Sequence, residues 1–374
     1  NCHSFSADGR TLGMDVDGPQ GDKGTYAIAP IDRTTVIDED QVITWNSFPD
    51  KPEGHKTIGF LSRISPDGMH ALTTLNESVY VANFTDYRFL QVFFPTRGIL
   101  AWYSKATDTM QALPGADDTD YVHCDPVWTP DGKQIVFARA KAFDPYQPGQ
   151  GMARYAGDPA EPRIQYDLYR MPFDEGRGGT PVPIEGASSN GMSNTFPKVS
   201  PDGRGIVYTK CENGQLMRPD GRLWIEPFEG GEAREMRCNT TRMNSWHSFS
   251  PNGRWLVFSS KAYSIYTELM LTHVDDAGQS TPPVVLANFT EANRAANIPE
   301  FANVRPGAIK KIYEQFLDDT NYLRAGDEFR KQGEYDNAIR WYRRALDLNP
   351  DNALVHANWG TCLVYQGKLD EAKA

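Results

Sequence analysis

The chain has 374 residues, 38 of them Lys or Arg and 49 Asp or Glu, for a formal net charge of −11. Apolar residues make up 39% and aromatics 11%, with 32 Gly and 26 Pro, a mix too aromatic and turn-rich for a disordered tail and too polar for a membrane protein. No apolar run approaches the ~18 residues of a spanning helix, and an acidic chain without a Lys/Arg block argues against nucleic acid or an anionic membrane surface as the main partner.

The sequence opens on Asn1-Cys2-His3, with no initiator Met and no signal peptide. It reads as an interior piece of a longer protein, so a missing signal peptide says nothing about compartment. From there one phrase recurs: an apolar strand, Ser/Thr-Pro-Asp-Gly, then a second apolar strand. A weak copy spans residues 3–9 and ends Ser6-Ala7-Asp8-Gly9. Fuller copies end Ser65-Pro66-Asp67-Gly68, Thr129-Pro130-Asp131-Gly132, Ser200-Pro201-Asp202-Gly203 and Ser250-Pro251-Asn252-Gly253. Pro fixes φ at the second turn position, Asp or Asn suits the third, and Gly takes the positive φ that follows, so each phrase predicts a tight hairpin.

A third strand is expected after each hairpin, at 79–82, 168–171, 223–225 and 269–271. A short fourth strand follows at 180–184 and 283–286. Four antiparallel strands per unit, repeated, predict the blades of a β-propeller. A stray hairpin is expected at 98–104 with 110–113, and a lone leading strand at 298–302.

From Gly307 helix formers take over. Gly360, Gly367, Asp370 and Ala372 follow Gly326, Gly333, Asp336 and Ala338 by 34 residues each, the tetratricopeptide period. Helices are expected at 307–331 and 335–348, with a third from Ala353. Ala338 and Ala345 should let neighbouring helices approach closely.

The Ser-Pro-Asp-Gly phrase strongly resembles the WD40-like repeat of TolB-type propellers over residues 1–305, and residues 306–374 resemble a tetratricopeptide array with a truncated second repeat. The fold class expected is thus mainly β, a propeller followed by helices. Five blades are visible, and the resemblance implies six to eight in the intact ring. It also implies an exported protein, periplasmic or surface-associated, that binds protein or peptide partners through its array and propeller face.

Enzyme motifs are missing. The chain has no Gly-x-Ser-x-Gly elbow, Walker loop, His-Glu-x-x-His or paired Cys-x-x-Cys, so a propeller-based hydrolase lacks motif support. Cys2-His3 is the exception. Cys-x-x-Cys-His attaches c-type haem through two thioethers and a proximal His, and its first Cys would lie three residues before Cys2. The run from Asn1 to Gly9 also resembles TolB-like propellers that carry a haem signature at this point. The resemblance implies haem c on Cys2, with His3 as iron ligand and a c-type cytochrome-like redox or haem-sensing role as the alternative function. Blade topology puts His3 on the face opposite the Pro-Asp-Gly turns. That face also bears the 142–164 insertion with Tyr146, Met152 and Tyr155, the 211–221 loop with Met217, and links with Met192. Sixth-ligand candidates are Met14, His123, Met152, Met243 and His247.

Five cysteines cannot all pair. Cys211 and Cys238 flank one blade as either a disulfide or two buried thiols, whereas Cys124 and Cys362 read as packing residues. The aspartates at 15, 17, 117, 118, 120, 275 and 276 read as solvated turns rather than calcium sites.

Overall fold

All five repeats of the phrase close the same hairpin with the same hydrogen bonds. The hydroxyl of Ser6, Ser65, Thr129, Ser200 or Ser250 donates to the side-chain oxygen of Asp8, Asp67, Asp131, Asp202 or Asn252. The same hydroxyl accepts the backbone N–H five residues on, at 2.9–3.0 Å. The closing glycines have φ between 68° and 73°, where a Cβ would be strained.

The computed structural model describes residues 2–86, 89, 91–146, 149, 151–291 and 293–373. Its propeller blades are four-stranded and antiparallel. The first comprises His3–Phe5, Thr11–Val16, Thr25–Pro30 and Val42–Thr44. The second comprises Phe60–Ile64, His70–Asn83, Gln91–Ser104 and Thr109–Ala112. The third comprises Tyr121–Trp128, Gln134–Lys141, Asp167–Pro172 and Val182–Pro183. The fourth comprises Ser193–Val199, Gly205–Cys211, Arg222–Pro227 and Arg234–Glu235. The fifth comprises Asn244–Phe249, Trp255–Ser260, Glu268–His273 and Val284–Val285. The second and third blades are joined by one parallel bridge, Val122 to Gly98. The first strands of all five blades surround one cavity together with residues 300–303. Among the described residues five blades form, against the six to eight expected for an intact ring.

The second blade departs from expectation. Residues 79–82 are not a third strand but the far half of a 14-residue second strand, and the supposedly stray hairpin supplies the third and fourth strands. Asn76 takes φ 54°, and the register slips between Leu75 and Ser78, so the strand passes through a bulge instead of turning. The overlong hairpin crosses beneath the ring. Its Phe84, Phe89, Val92 and Phe94 join Leu61, Phe196, Met243 and Trp246 from the inner strands in the largest apolar cluster. Tyr146 in the 142–164 insertion clasps it, the phenol donating to Val79 O and accepting from Val81 N–H.

The lone strand expected at 298–302 does not form. Ile298 takes φ 52°, and the segment lies against the ring as a strap. Asn303 Nδ2 donates to Ala7 O in the first blade, and Phe301 N–H reaches Ser248 Oγ in the fifth.

The first helix starts later than expected. Lys311–Glu314 is a strand, paired in parallel with Thr34–Ile37. Three helices follow: α1 (Asp319–Lys331), α2 (Tyr335–Leu348) and α3 (Ala353–Tyr365). Asp318 caps α1 in a reciprocal box with Asn321. Ala338, Tyr342 and Ala345 of α2 are fully buried in the helical core with Leu323 of α1 and Val355 and Cys362 of α3. No described helix is long and apolar enough to cross a membrane.

Candidate functional site

The innermost strands of the second to fifth blades share an irregularity. Each slips register over the residues just before the Pro-Asp-Gly turn. Leu61, Asp125, Phe196 and Trp246 there take φ of 57°, 54°, 52° and 55°. Such a bulge adds local twist and re-aims the side chains after it. Two residues on stand Arg63, Val127, Lys198 and Ser248, with Ser4 at the matching place in the first blade, and all five line the axial cavity.

Glu300 enters this circle from the strap. Its Oε1 lies 2.6 Å from Arg63 Nη1 and is also bonded by Lys198 Nζ, while Oε2 accepts from Ser248 Oγ at 2.7 Å. Arg63 Nη1 further donates to His3 O at 3.0 Å. The three charged side chains are each at most 12% exposed. Burial alone would raise the Glu300 carboxyl, but the Lys198 and Arg63 charges outweigh it and hold the group down to about 2. Burial, followed by repulsion from Arg63, brings Lys198 down to about 8 against the pull of Glu300. At neutral pH the ionised Arg63 and Lys198 thus share the Glu300 carboxylate.

Around this floor the cavity opens as a funnel of about 430 Å³ towards the turn-bearing face. Pro66, Pro130, Pro201 and Pro251 from four repeats line it with Trp128 and Phe301. The geometry suits binding: a preformed pocket with apolar walls and a charged, hydrogen-bonding floor. Among the described residues no group of His, Cys, Asp and Glu is arranged to hold a metal ion.

Cys2 stands at the head of the first blade against the main core, beside Asp15 and Arg63. Burial, then the Asp15 carboxyl, push its thiol up to about 12. Asp15 is not in a solvated turn. It lies in the second strand with its carboxyl against Ser62 and Cys2, raised to about 7 by burial. His3 follows in the strand, half-buried, its ring 6.0 Å from that of Phe5. The donor chemistry fits one thioether at Cys2 and one imidazole at His3, although the sulfur would have to turn away from Asp15.

Met14 is the direct cross-strand partner of His3 and so shares its face of the sheet. His123 is buried in the third blade, with Nε2 3.2 Å from Asp118 O and its ring on Phe137; burial and Arg139 bring it down to about 4. His247 Nε2 lies 2.9 Å from Val207 O, and burial brings that group down to about 3. Met243 is fully buried in the core, and Met152 is exposed in the insertion.

Cys211 and Cys238 are two buried free thiols, not a disulfide. Both sit at the same end of the fourth blade, but the strand Arg222–Pro227 runs between the strands that lead to them. Two strand spacings are roughly 9.6 Å, beyond what a disulfide spans. The Cys211 thiol turns to Asn213 O and Gly214 O, and Cys238 packs with Met236, Leu256 and Met270.

The floor of the funnel was not singled out from sequence. One signal was available: Arg63 and Lys198 each stand two residues before the Ser of their repeat, where the other copies carry Ser4, Val127 and Ser248. Glu300 carried the same signal in part: Ile298-Pro299-Glu300, in the expected leading strand, repeats Phe196-Pro197-Lys198, with φ 52° at both Ile298 and Phe196.

Residues 326–367 match the family model described as TPR repeat. No curated protein matches the chain. Among solved structures it is similar to TolB from Acinetobacter baumannii, with 16% identity, a TM-score of 0.46, and coverage of 81% of this chain and 57% of that one. It is also similar to a structure assigned as TolB from Agrobacterium tumefaciens, with 15% identity, a TM-score of 0.43, and coverage of 76% and 79%. A third similar structure is an oligogalacturonate lyase in complex with manganese, with 15% identity, a TM-score of 0.42, and coverage of 76% and 65%. The chain thus spans a little over half the length of the first of these.

Proposed function

We propose that this chain is a protein-interaction scaffold, in which the propeller is a rigid body that holds a tetratricopeptide array for protein or peptide partners. The observation that carries this reading is the way the array is anchored. Asp318 Oδ2 accepts the Gln20 N–H at 2.7 Å, and Asn321 Nδ2 donates to Gly18 O at 2.8 Å. Phe316, just before the helix, is buried with Val16, Ala27, Ala29 and Ile37 of the first blade and its flank. An array fixed at its root presents its helices in one orientation, which lowers the entropy lost when a partner binds both modules.

Capture by the full-length protein, with partners identified by mass spectrometry, tests the reading. Leu354→Asp with Tyr365→Asp alters two side chains of α3 that are more than half exposed. Partners retained by the parent and lost by this double variant are the expected result. A set of retained proteins that is the same for both would overturn it. Residence in the periplasm or at the cell surface is part of the proposal, supported by the TolB-type repeat phrase and tested by cell fractionation.

A second reading rests on the adjacent thiol and imidazole of Cys2 and His3: a haem c held there, supplying one-electron redox chemistry when bound. The full-length protein, exported with haem-attachment machinery, would keep its haem spectrum after denaturation, because thioethers are covalent. Cys2→Ser would leave at most one thioether. An exported full-length protein without covalent haem would remove this reading.

A further inference from the structure

We propose that the axial funnel binds a carboxylate of a peptide ligand, seated beside Lys198 and Arg63 with the chain of the ligand lying against the proline-lined wall. This deepens the scaffold reading on which it rests, by giving the propeller its own ligand chemistry.

The first argument is charge. Arg63 and Lys198 directly bond a single carboxylate, that of Glu300; Asp15 and Asp125, the other carboxyls that act on Arg63, are pushed up by burial to about 7 and are only partly ionised at neutral pH. A cavity whose low-dielectric walls enclose an excess cation focuses its field outward and attracts an anion. Lys198 carries three N–H donors and gives one to Glu300, so its ammonium has hydrogen bonds to offer a second acceptor.

The second argument is access. On the far side of the ring Phe84, Phe89, Val92 and Phe94 of the second-blade hairpin pack with Leu61, Phe196 and Trp246 of the inner strands, whereas the lining of the cavity lies towards the turn face. The acidic turns surround that mouth, but none of their four aspartates lines the cavity. Asp8, Asp67, Asp131 and Asp202 are tied back to the hydroxyls and backbone N–H groups of their own turns. Three of them also face a cation within 4.0 Å: Arg10, Lys133 or Arg204.

The third argument is size and wall chemistry. A cavity of about 430 Å³ admits a few residues of extended peptide and not a folded domain. Pro66, Pro130, Pro201, Pro251 and Trp128 offer flat, rigid apolar contacts that lose little entropy on binding. Ser4 and Ser248 line the same cavity.

Calorimetric titration of the full-length protein with three acetylated tripeptides tests the proposal. Ala-Ala-Glu amide carries a side-chain carboxylate, Ala-Ala-Ala free acid a terminal one, and Ala-Ala-Gln amide neither. At least one carboxylate peptide should bind ~10-fold or more tighter than the Gln amide, and whichever it is identifies the source of the group. Lys198→Met should abolish that difference. The carboxylate-to-amide comparison on the parent protein stands even if this variant fails to fold. Equal binding of all three peptides, no binding of any at millimolar concentration, or a difference that survives in a folded Lys198→Met protein would overturn the proposal. Partner capture lost on mutating α3 is read independently, so failure of the funnel leaves the array reading intact.

Discussion

Arg63 Nη1 and Glu300 Oε1 stand 2.6 Å apart, although the two residues are 237 positions apart in the chain. The contact joins the inner strand of the second blade to the strap that follows the fifth. Lys198 and Ser248 bond the same carboxylate, so three blades converge on one side chain. Buried charges of this kind rarely add net stability over an apolar substitute, but removing one partner leaves the others uncompensated.

Glu300→Ala should therefore cost more than a surface substitution would. Two cations would be left in the ring without their carboxylate, for a loss of roughly 3–5 kcal/mol. Urea denaturation of the parent and the variant measures it. A loss below ~1 kcal/mol, typical of exposed pairs, would show that the strap does not hold the blades together.

Acid should weaken the protein through the same residue. Glu300 is held at about 2 in the fold against 4.5 in the free side chain, so the folded state favours the ionised form. Its contribution is present above about pH 4.5 and is lost as pH falls towards 2. Melting temperature followed from pH 6 to pH 3 should fall more steeply in the parent than in Glu300→Gln. Parallel curves would show that other carboxylates govern the acid limb.

Glu226 should act with the opposite sign. It is 3% exposed, and neither carboxyl oxygen has a hydrogen-bond partner. Burial raises it to about 8, although Lys210 opposes the shift. The folded state thus favours the neutral acid. The stabilisation is complete below about pH 4.5 and disappears as pH rises through 8. Glu226→Gln should flatten this limb between pH 5 and pH 8 in thermal melts, whatever its effect on absolute stability. A variant slope equal to that of the parent would disprove the assignment.

The blades were legible because their turns are local. Pro, Asp and Gly at fixed offsets determine each hairpin, and the third strands at 167–172, 222–227 and 268–273 fall where apolar runs predict them. The extent of the second strand was not legible. Residues 79–82 alternate like a new strand, and nothing local shows that Asn76 and Glu77 form a bulge rather than a turn. The helices at 335–348 and 353–365 followed from the 34-residue period. The strand 311–314 did not, because its partner at 34–37 is nearly 280 residues away. The charged floor mixes the two: a positive-φ residue stands two before Arg63, Lys198 and Glu300 alike, and tertiary contacts bring the three side chains together.

Two glycines one repeat apart should respond differently to the same substitution. A Cβ on Gly326 would lie 2.4 Å from the Tyr342 ring, whose hydroxyl is held by Asp327 at 2.6 Å. The ring cannot move away without losing that bond, so Gly326→Ala should destabilise by about 1–3 kcal/mol. A Cβ on Gly360 would meet Ala372 O at 3.6 Å, an ordinary contact. There the better helix propensity of Ala should prevail, and Gly360→Ala should be neutral or stabilise by up to ~1 kcal/mol. Thermal melts of the two variants give the comparison, and equal losses would contradict close packing of α1 on α2.

Asp318 links the two modules with a single side chain. One carboxylate oxygen accepts the Asn321 N–H at 3.0 Å and caps α1; the other accepts the Gln20 N–H of the first blade at 2.7 Å. Asp318→Ala removes both, and loss of the cap alone should cost about 1 kcal/mol. The larger effect should be local. With the helix root released, the connecting segment would rest on the pairing of 311–314 with 34–37 and on Phe316. Trypsin should then cut faster after Lys310 and Lys311, while cleavage within the blades keeps the parent rate. Asp318→Asn retains one acceptor oxygen and should fall between the two. If Asp318→Ala is cut no faster than the parent, the strand pairing and Phe316 suffice to hold the array, and the carboxylate serves α1 as a cap alone.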